Sequence, residues 1–146
     1  MSKKKHIFAT LAALILLLGD YLFWTVERPV ANTFPEELWT ATDLRGQLYY
    51  YDKYLTLHEI PVEEEMLANI LAAVRQTEGS RRNAFQTISQ PCFSIYLYYQ
   101  NGHGYSSLTV VENGDIRINP TIKQEPGIYF DGGEELYQTL LALTET

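Results

Sequence analysis

The apolar positions of this chain follow three patterns, alternation, helical stripes and one unbroken run, and each predicts a different kind of element. Across residues 93–118, short runs rich in β-branched and aromatic residues are separated by turn signals: FSIYLYY, QNGHG, YSSLTVV, ENGD, IRI. This is the pattern of an antiparallel meander. Phe93, Ile95, Leu97 and Tyr99 alternate with Ser94, Tyr96 and Tyr98, so one face packs while the other is partly aromatic and wet. Leu108, Val110, Ile116 and Ile118 continue the packed face. Residues 47–60 are also β-prone and break at Asp52 and Lys53, which reads as a hairpin rather than one long strand. After turns at Asn119 and Pro120 and at Pro126 and Gly127, a short strand covers Ile128–Phe130.

Two stretches carry helical stripes. From Pro61 on, Met66, Leu67, Ile70, Leu71 and Val74 recur on one face. Glu63, Glu64 and Glu65 fall in the first turn, where the macrodipole favours anions, and Gly79 is placed to end the helix. Three consecutive glutamates on a helix point in three directions and cannot converge on one metal ion. The last helix carries Leu136, Leu140 and Leu143, and Asp131 with Glu134 forms a D-x-x-E capping-box pattern before it. Two amphipathic helices and four to five antiparallel strands make an α+β domain, with both helices on one sheet face.

The unbroken run is residues 7–18, preceded by Lys3, Lys4 and Lys5 and followed by Asp20 and the aromatic group Tyr21, Phe23 and Trp24. Extended to Val26, it reaches the roughly 20 residues needed to cross a bilayer. Trp24 and Tyr21 then form an interfacial belt, and the three lysines hold the N-terminus in the cytoplasm. The alternative is a signal peptide, but the one tempting cleavage site, after Ala31, has Pro29 at −3 instead of a small residue. Residues 1–26 therefore read as a retained single-pass anchor of the cell membrane, with everything after Val26 outside, or secreted if cleaved. Pro29 and Pro35 make residues 27–44 a stalk, with one helical turn at PEELW that lets Trp39 cover an edge of the core. The domain proper is residues 45–146, enough for a single core.

Charge narrows the partners. Beyond residue 26 there are 8 Lys and Arg against 17 Asp and Glu. An acidic domain is repelled by nucleic-acid phosphates and by anionic lipid headgroups, which makes both poor partners and leaves no nucleic-acid role expected. Cys92 is the sole cysteine, so neither an internal disulfide nor a multi-cysteine metal site can form, and it lies too far beyond the apolar run to be a lipobox cysteine for acylation. No nucleophile elbow, zinc-protease or phosphate-loop motif is present. His58 and His103, on separate elements, are the candidates for a small cell-envelope enzyme. No cofactor or metal is implied.

Residues 80–91 form a connector carrying Arg81 and Arg82, a rare basic pair here. Guanidinium forks clamp carboxylates and other anions bidentately, while the alternative is pairing with local glutamates or plain solvation. Tyrosines crowd the strand regions, and alternation sends Tyr96 and Tyr98 away from the packed face, where such side chains suit protein or cell-wall glycan recognition. The alternative is simple cross-strand aromatic pairing.

The loop SRRNAFQTISQP and the terminal GIYFDGGEELY, in this order around an aromatic strand, resemble a family of small, uncharacterised extracytoplasmic domains of Gram-positive bacteria. The resemblance implies an exported α+β domain and supplies no activity or catalytic residue. The expectation is a membrane-tethered, extracytoplasmic binding or accessory module, with Arg81, Arg82, Tyr96 and Tyr98 as contacts and the envelope enzyme as the alternative.

Overall fold

The computed structural model describes residues 3–85, 90–121 and 127–145. Helix α1 (Lys3–Thr25) is followed by strand β1 (Arg28–Pro29), a 3-10 turn (Val30–Thr33) and the short helix α2 (Glu36–Thr40). Next come β2 (Arg45–Tyr51), β3 (Leu57–Ile60), helix α3 (Glu64–Gln76), β4 (Glu78–Gly79) and β5 (Arg81–Arg82). The meander is β6 (Cys92–Tyr99), β7 (Gly104–Val111) and β8 (Ile116–Asn119), completed by β9 (Ile128–Phe130) and helix α4 (Glu134–Thr144).

The fold is α+β, with a seven-stranded antiparallel sheet in the order β3-β2-β6-β7-β8-β9-β5, and a separate ribbon of β1 and β4. This exceeds the four to five strands expected from the sequence. One of the strands beyond that number, the edge strand β5, lies inside the stretch read as a connector, because two residues carry no periodicity to read.

Cross-strand pairs fix the two faces. Leu48, Ile95, Leu108, Ile118 and Ile128 lie in one register row, and Tyr50, Phe93, Val110, Ile116 and Phe130 in another. Both rows face the helices: Tyr137 of α4 packs its ring 5.3 Å from Phe93, and a Cβ at Gly46 would meet Leu67 of α3. Leu67, Ile70, Val74, Leu136, Tyr137 and Leu140 are buried in the same core cluster.

Residues 27–44 are not a free stalk. Val30, Phe34 and Leu38 are buried within that core, and Trp39 packs edge-on to Phe34 while its indole N–H donates to the Ala31 carbonyl at 3.3 Å. The prolines break regular structure but leave apolar side chains four residues apart on one side. The capping box does not form either. Gly133 is the N-cap of α4, and the Asp131 carboxylate instead accepts from the backbone N–H of Ser80 at 2.7 Å and pairs with Arg82. Gly79 does not end α3, whose C-cap is Thr77; it lies where the Asp131 carbonyl oxygen would sit 2.0 Å from any Cβ.

α1 differs from the other α-helices, each of which buries at least one side chain. None of its residues is buried, and it is long and apolar enough to cross a membrane. At 1.5 Å per residue its 23 residues span about 34 Å, against a hydrocarbon core of about 30 Å.

Candidate functional site

The face turned away from the helices is built by the alternate residues of the same strands. Gln47 pairs with Tyr96, and Tyr98 with Tyr105, so a polar amide and several phenols converge. The Tyr49 and Tyr96 rings meet nearly perpendicular at 5.6 Å, and Tyr98 and Tyr105 at 5.6 Å and 59°. Gln47 Oε1 accepts from the Tyr98 hydroxyl at 3.4 Å and from the Tyr49 hydroxyl at 3.5 Å. Gln47, Tyr49, Tyr51, Leu57, Tyr96 and Tyr98 line a shallow hollow of about 310 Å³.

Burial pushes the Tyr96 phenol above its ordinary pKa, with the neighbouring Tyr105 and Tyr51 adding to it. Burial and then Tyr105 do the same to Tyr98. Both hydroxyls therefore stay protonated at neutral pH and serve as hydrogen-bond donors and acceptors rather than as charges. Cys92 faces the same side, and burial likewise pushes its thiol up, away from the reactive thiolate.

The two arginines do not form a joint clamp. Consecutive residues of a strand point to opposite faces. Arg82 shares the face of the tyrosines, but β5 lies four strands from β6, about 19 Å away. Its guanidinium pairs with Asp131, which makes it a staple of the sheet edge. Arg81 turns to the other face, with its guanidinium carbon 5.3 Å from the Phe23 ring centroid and 5.6 Å from that of Phe130. Its companion is Arg28, a residue the sequence reading passed over; the only hint was a basic residue just beyond the aromatic belt.

The histidines are equally separate. His58 Nε2 lies 2.9 Å from Asp52 Oδ2, and Asp52 also accepts from the backbone N–H of Tyr54 at 2.8 Å and of Thr56 at 3.0 Å. The His58 hydrogen bond, then those from the backbone, holds the Asp52 carboxyl below its ordinary value. This is a turn held together by one carboxylate, with no hydroxyl or thiol hydrogen-bonded to His58 among the described residues. His103 is exposed in the turn between β6 and β7. His58 stands level with Phe93 and His103 lies beyond Tyr99, which puts them roughly 20 Å apart along the strand direction. No group of three or more metal-ligating side chains assembles among the described residues.

Asp43 was also missed. Its carboxylate accepts from the backbone N–H of Asn101 at 2.6 Å and of Gln100 at 3.0 Å, which keeps its pKa low. It thereby holds the turn whose residues Gln100, Asn101 and Gly102 all have positive φ. Set against known proteins, the chain matches no protein-family model, no curated protein and no solved structure, so its functional reading rests on its own geometry.

Proposed function

We propose that this protein is a membrane-tethered binding module, anchored by α1 and displaying its α+β domain on the extracytoplasmic side. Support for the tether comes from α1 itself: its apolar side chains, Phe8, Ile15 and Leu16 among them, are exposed and find no cover among the described residues, as a bilayer helix requires. Lys3, Lys4 and Lys5 at its start favour a cytoplasmic N-terminus. A hydrogen bond from the Ser80 hydroxyl to the Thr25 carbonyl, 3.1 Å, ties the end of α1 to the domain, which favours a retained anchor over a cleaved signal.

The observation that carries the binding reading is the tyrosine hollow. Its rings stand edge to face, so the surface is corrugated. A flat sugar ring stacks best on coplanar aromatics, whereas a recess of this size suits an apolar side chain with Gln47 and the phenols hydrogen-bonding beside it. A protein partner is therefore the ligand class the geometry favours over a cell-wall glycan. The competing reading, a small envelope enzyme, draws on the carboxylate-oriented His58.

A photo-cross-linking residue in place of Tyr51, expressed in intact cells, tests this. Covalent capture of a discrete protein, lost when Tyr96→Ala and Tyr98→Ala are combined, is expected. Capture that this double variant leaves unchanged, or capture of glycan in place of protein, contradicts it. Loss of a measured turnover in folded His58→Ala would instead favour the enzyme.

A further inference from the structure

At the foot of α1, Arg28 and Arg81 come together on one aromatic ring. Arg28 Nη2 donates to the Phe23 carbonyl at 2.6 Å, and its guanidinium carbon lies 5.1 Å from the Phe23 ring centroid. Arg81 approaches the same ring to 5.3 Å. Neither has a carboxylate within ion-pair distance among the described residues, in a domain where acidic groups outnumber basic ones two to one. The Arg81 Nε is buried with no hydrogen-bond partner. Burial, then the charge of Arg28, pushes the Arg81 guanidinium below its ordinary pKa, as expected of two like charges held together without a counterion.

Beside them is a cavity of about 460 Å³ whose wall is divided by chemistry. Arg28, Arg81, Asn32 and Thr33 supply polar groups, while Ile128 and Phe130 supply apolar ones. Its position follows from Phe23 and Thr25, the last turn of α1. If α1 crosses a bilayer, that turn lies where hydrocarbon gives way to headgroups.

We propose that this cavity binds a phosphate-bearing anion, with Arg28 and Arg81 as the paired cationic contacts. Guanidinium forks match phosphate oxygens bidentately, and an anion between the two arginines removes their mutual repulsion. The apolar part of the wall accommodates the carbon skeleton of a phosphate ester. The source is either a lipid headgroup or free phosphate. The placement at the membrane surface rests on the tether proposed above; the pairing of the arginines does not.

The full chain, reconstituted in nanodiscs of phosphatidylcholine with a minor share of phosphatidylglycerol, is released and its retained lipids are counted by native mass spectrometry. In parallel, inorganic phosphate is titrated into the detergent-solubilised full chain by calorimetry. Phosphatidylglycerol is expected to be enriched over its share, with Arg28→Gln and Arg81→Gln each lowering the enrichment about tenfold. Arg45→Gln, on the opposite sheet face, leaves it unchanged. Enrichment that inorganic phosphate does not displace identifies a lipid headgroup. Saturable phosphate binding lost in the same two variants, without lipid enrichment, identifies free phosphate. Should a Gln variant unfold on heating earlier than wild type, Arg28→Lys and Arg81→Lys keep the charge without the fork and are expected to bind several-fold more weakly. Equal behaviour of wild type and the arginine variants in both arms overturns the site. A chain that does not enter the nanodisc contradicts the tether alone, and the phosphate arm still decides the cavity.

Discussion

The two edges of the seven-stranded sheet are finished in opposite ways. At the β5 edge, three consecutive residues are held by long-range contacts: Arg82 and the Ser80 N–H on Asp131, the Ser80 hydroxyl on Thr25, and Arg81 on Phe23. At the β3 edge nothing comparable is found among the described residues. Tyr54, Leu55 and Leu57 are exposed, and the hairpin is held by Asp52 from within. Six strand spacings, about 29 Å, separate the two. A free edge invites pairing with another chain, and the polar residues that β3 itself carries against this are His58 and Glu59. The foot of α1 beside β5 and the tyrosine hollow, which reaches β3 through Leu57, thus lie toward opposite ends of one sheet, and the function proposed above assigns anchorage to the first and recognition to the second.

The largest expected effect breaks the sealed edge. Gly79→Val drives a Cβ into the Asp131 backbone carbonyl and is expected to cost about 2–3 kcal/mol in urea unfolding. An unchanged midpoint would mean that the seam between residues 79 and 131 does not support the domain. Asp131→Ala removes the acceptor for Ser80 and Arg82. Because both partners of the ion pair are partly exposed, a smaller loss of about 1–2 kcal/mol is expected, measurable in the same way.

Tyr98→Ala separates the edges by function. Tyr98 is partly exposed on the helix-free face, so stability should move by less than about 1 kcal/mol while partner capture falls. A large loss of stability with capture intact would make the tyrosines structural cross-strand pairs.

Why some of this was legible in the sequence and some was not comes down to range. The meander, the α3 and α4 stripes and α1 each repeat a period over many residues, so local pattern suffices. Tyr96 and Tyr98 were correctly assigned to the helix-free face by alternation alone. Arg81 and Arg82 were not separable, because alternation matters only once the pair is known to be a strand, and β5 becomes one through its pairing with β9. Asp131 looked like a helix cap because its true partners lie about fifty residues away in sequence. Val30, Phe34 and Leu38 were hidden by the prolines beside them, which end regular structure without preventing burial.

The smallest expected effect is one of pH at the free edge. The Asp52 carboxyl is held below its ordinary value of 3.8, so its contribution is complete above that value and is lost as pH falls through the lower folded value. Amide exchange at Tyr54 and Thr56 should therefore show lowered protection only below pH 3.8, and at no pH near neutrality. Protection that stays unchanged once the carboxyl is protonated would mean that Asp52 does not hold the turn.

The most direct measurement is labelling of a single cysteine at the free edge. With Cys92→Ser removing the native thiol, Lys53→Cys sits on the exposed turn between β2 and β3. In intact cells, a membrane-impermeant maleimide is expected to label it fully, and the labelled chain should stay with the membrane fraction. Labelling only after the cells are opened would place the tyrosine face in the cytoplasm and contradict a domain displayed outside.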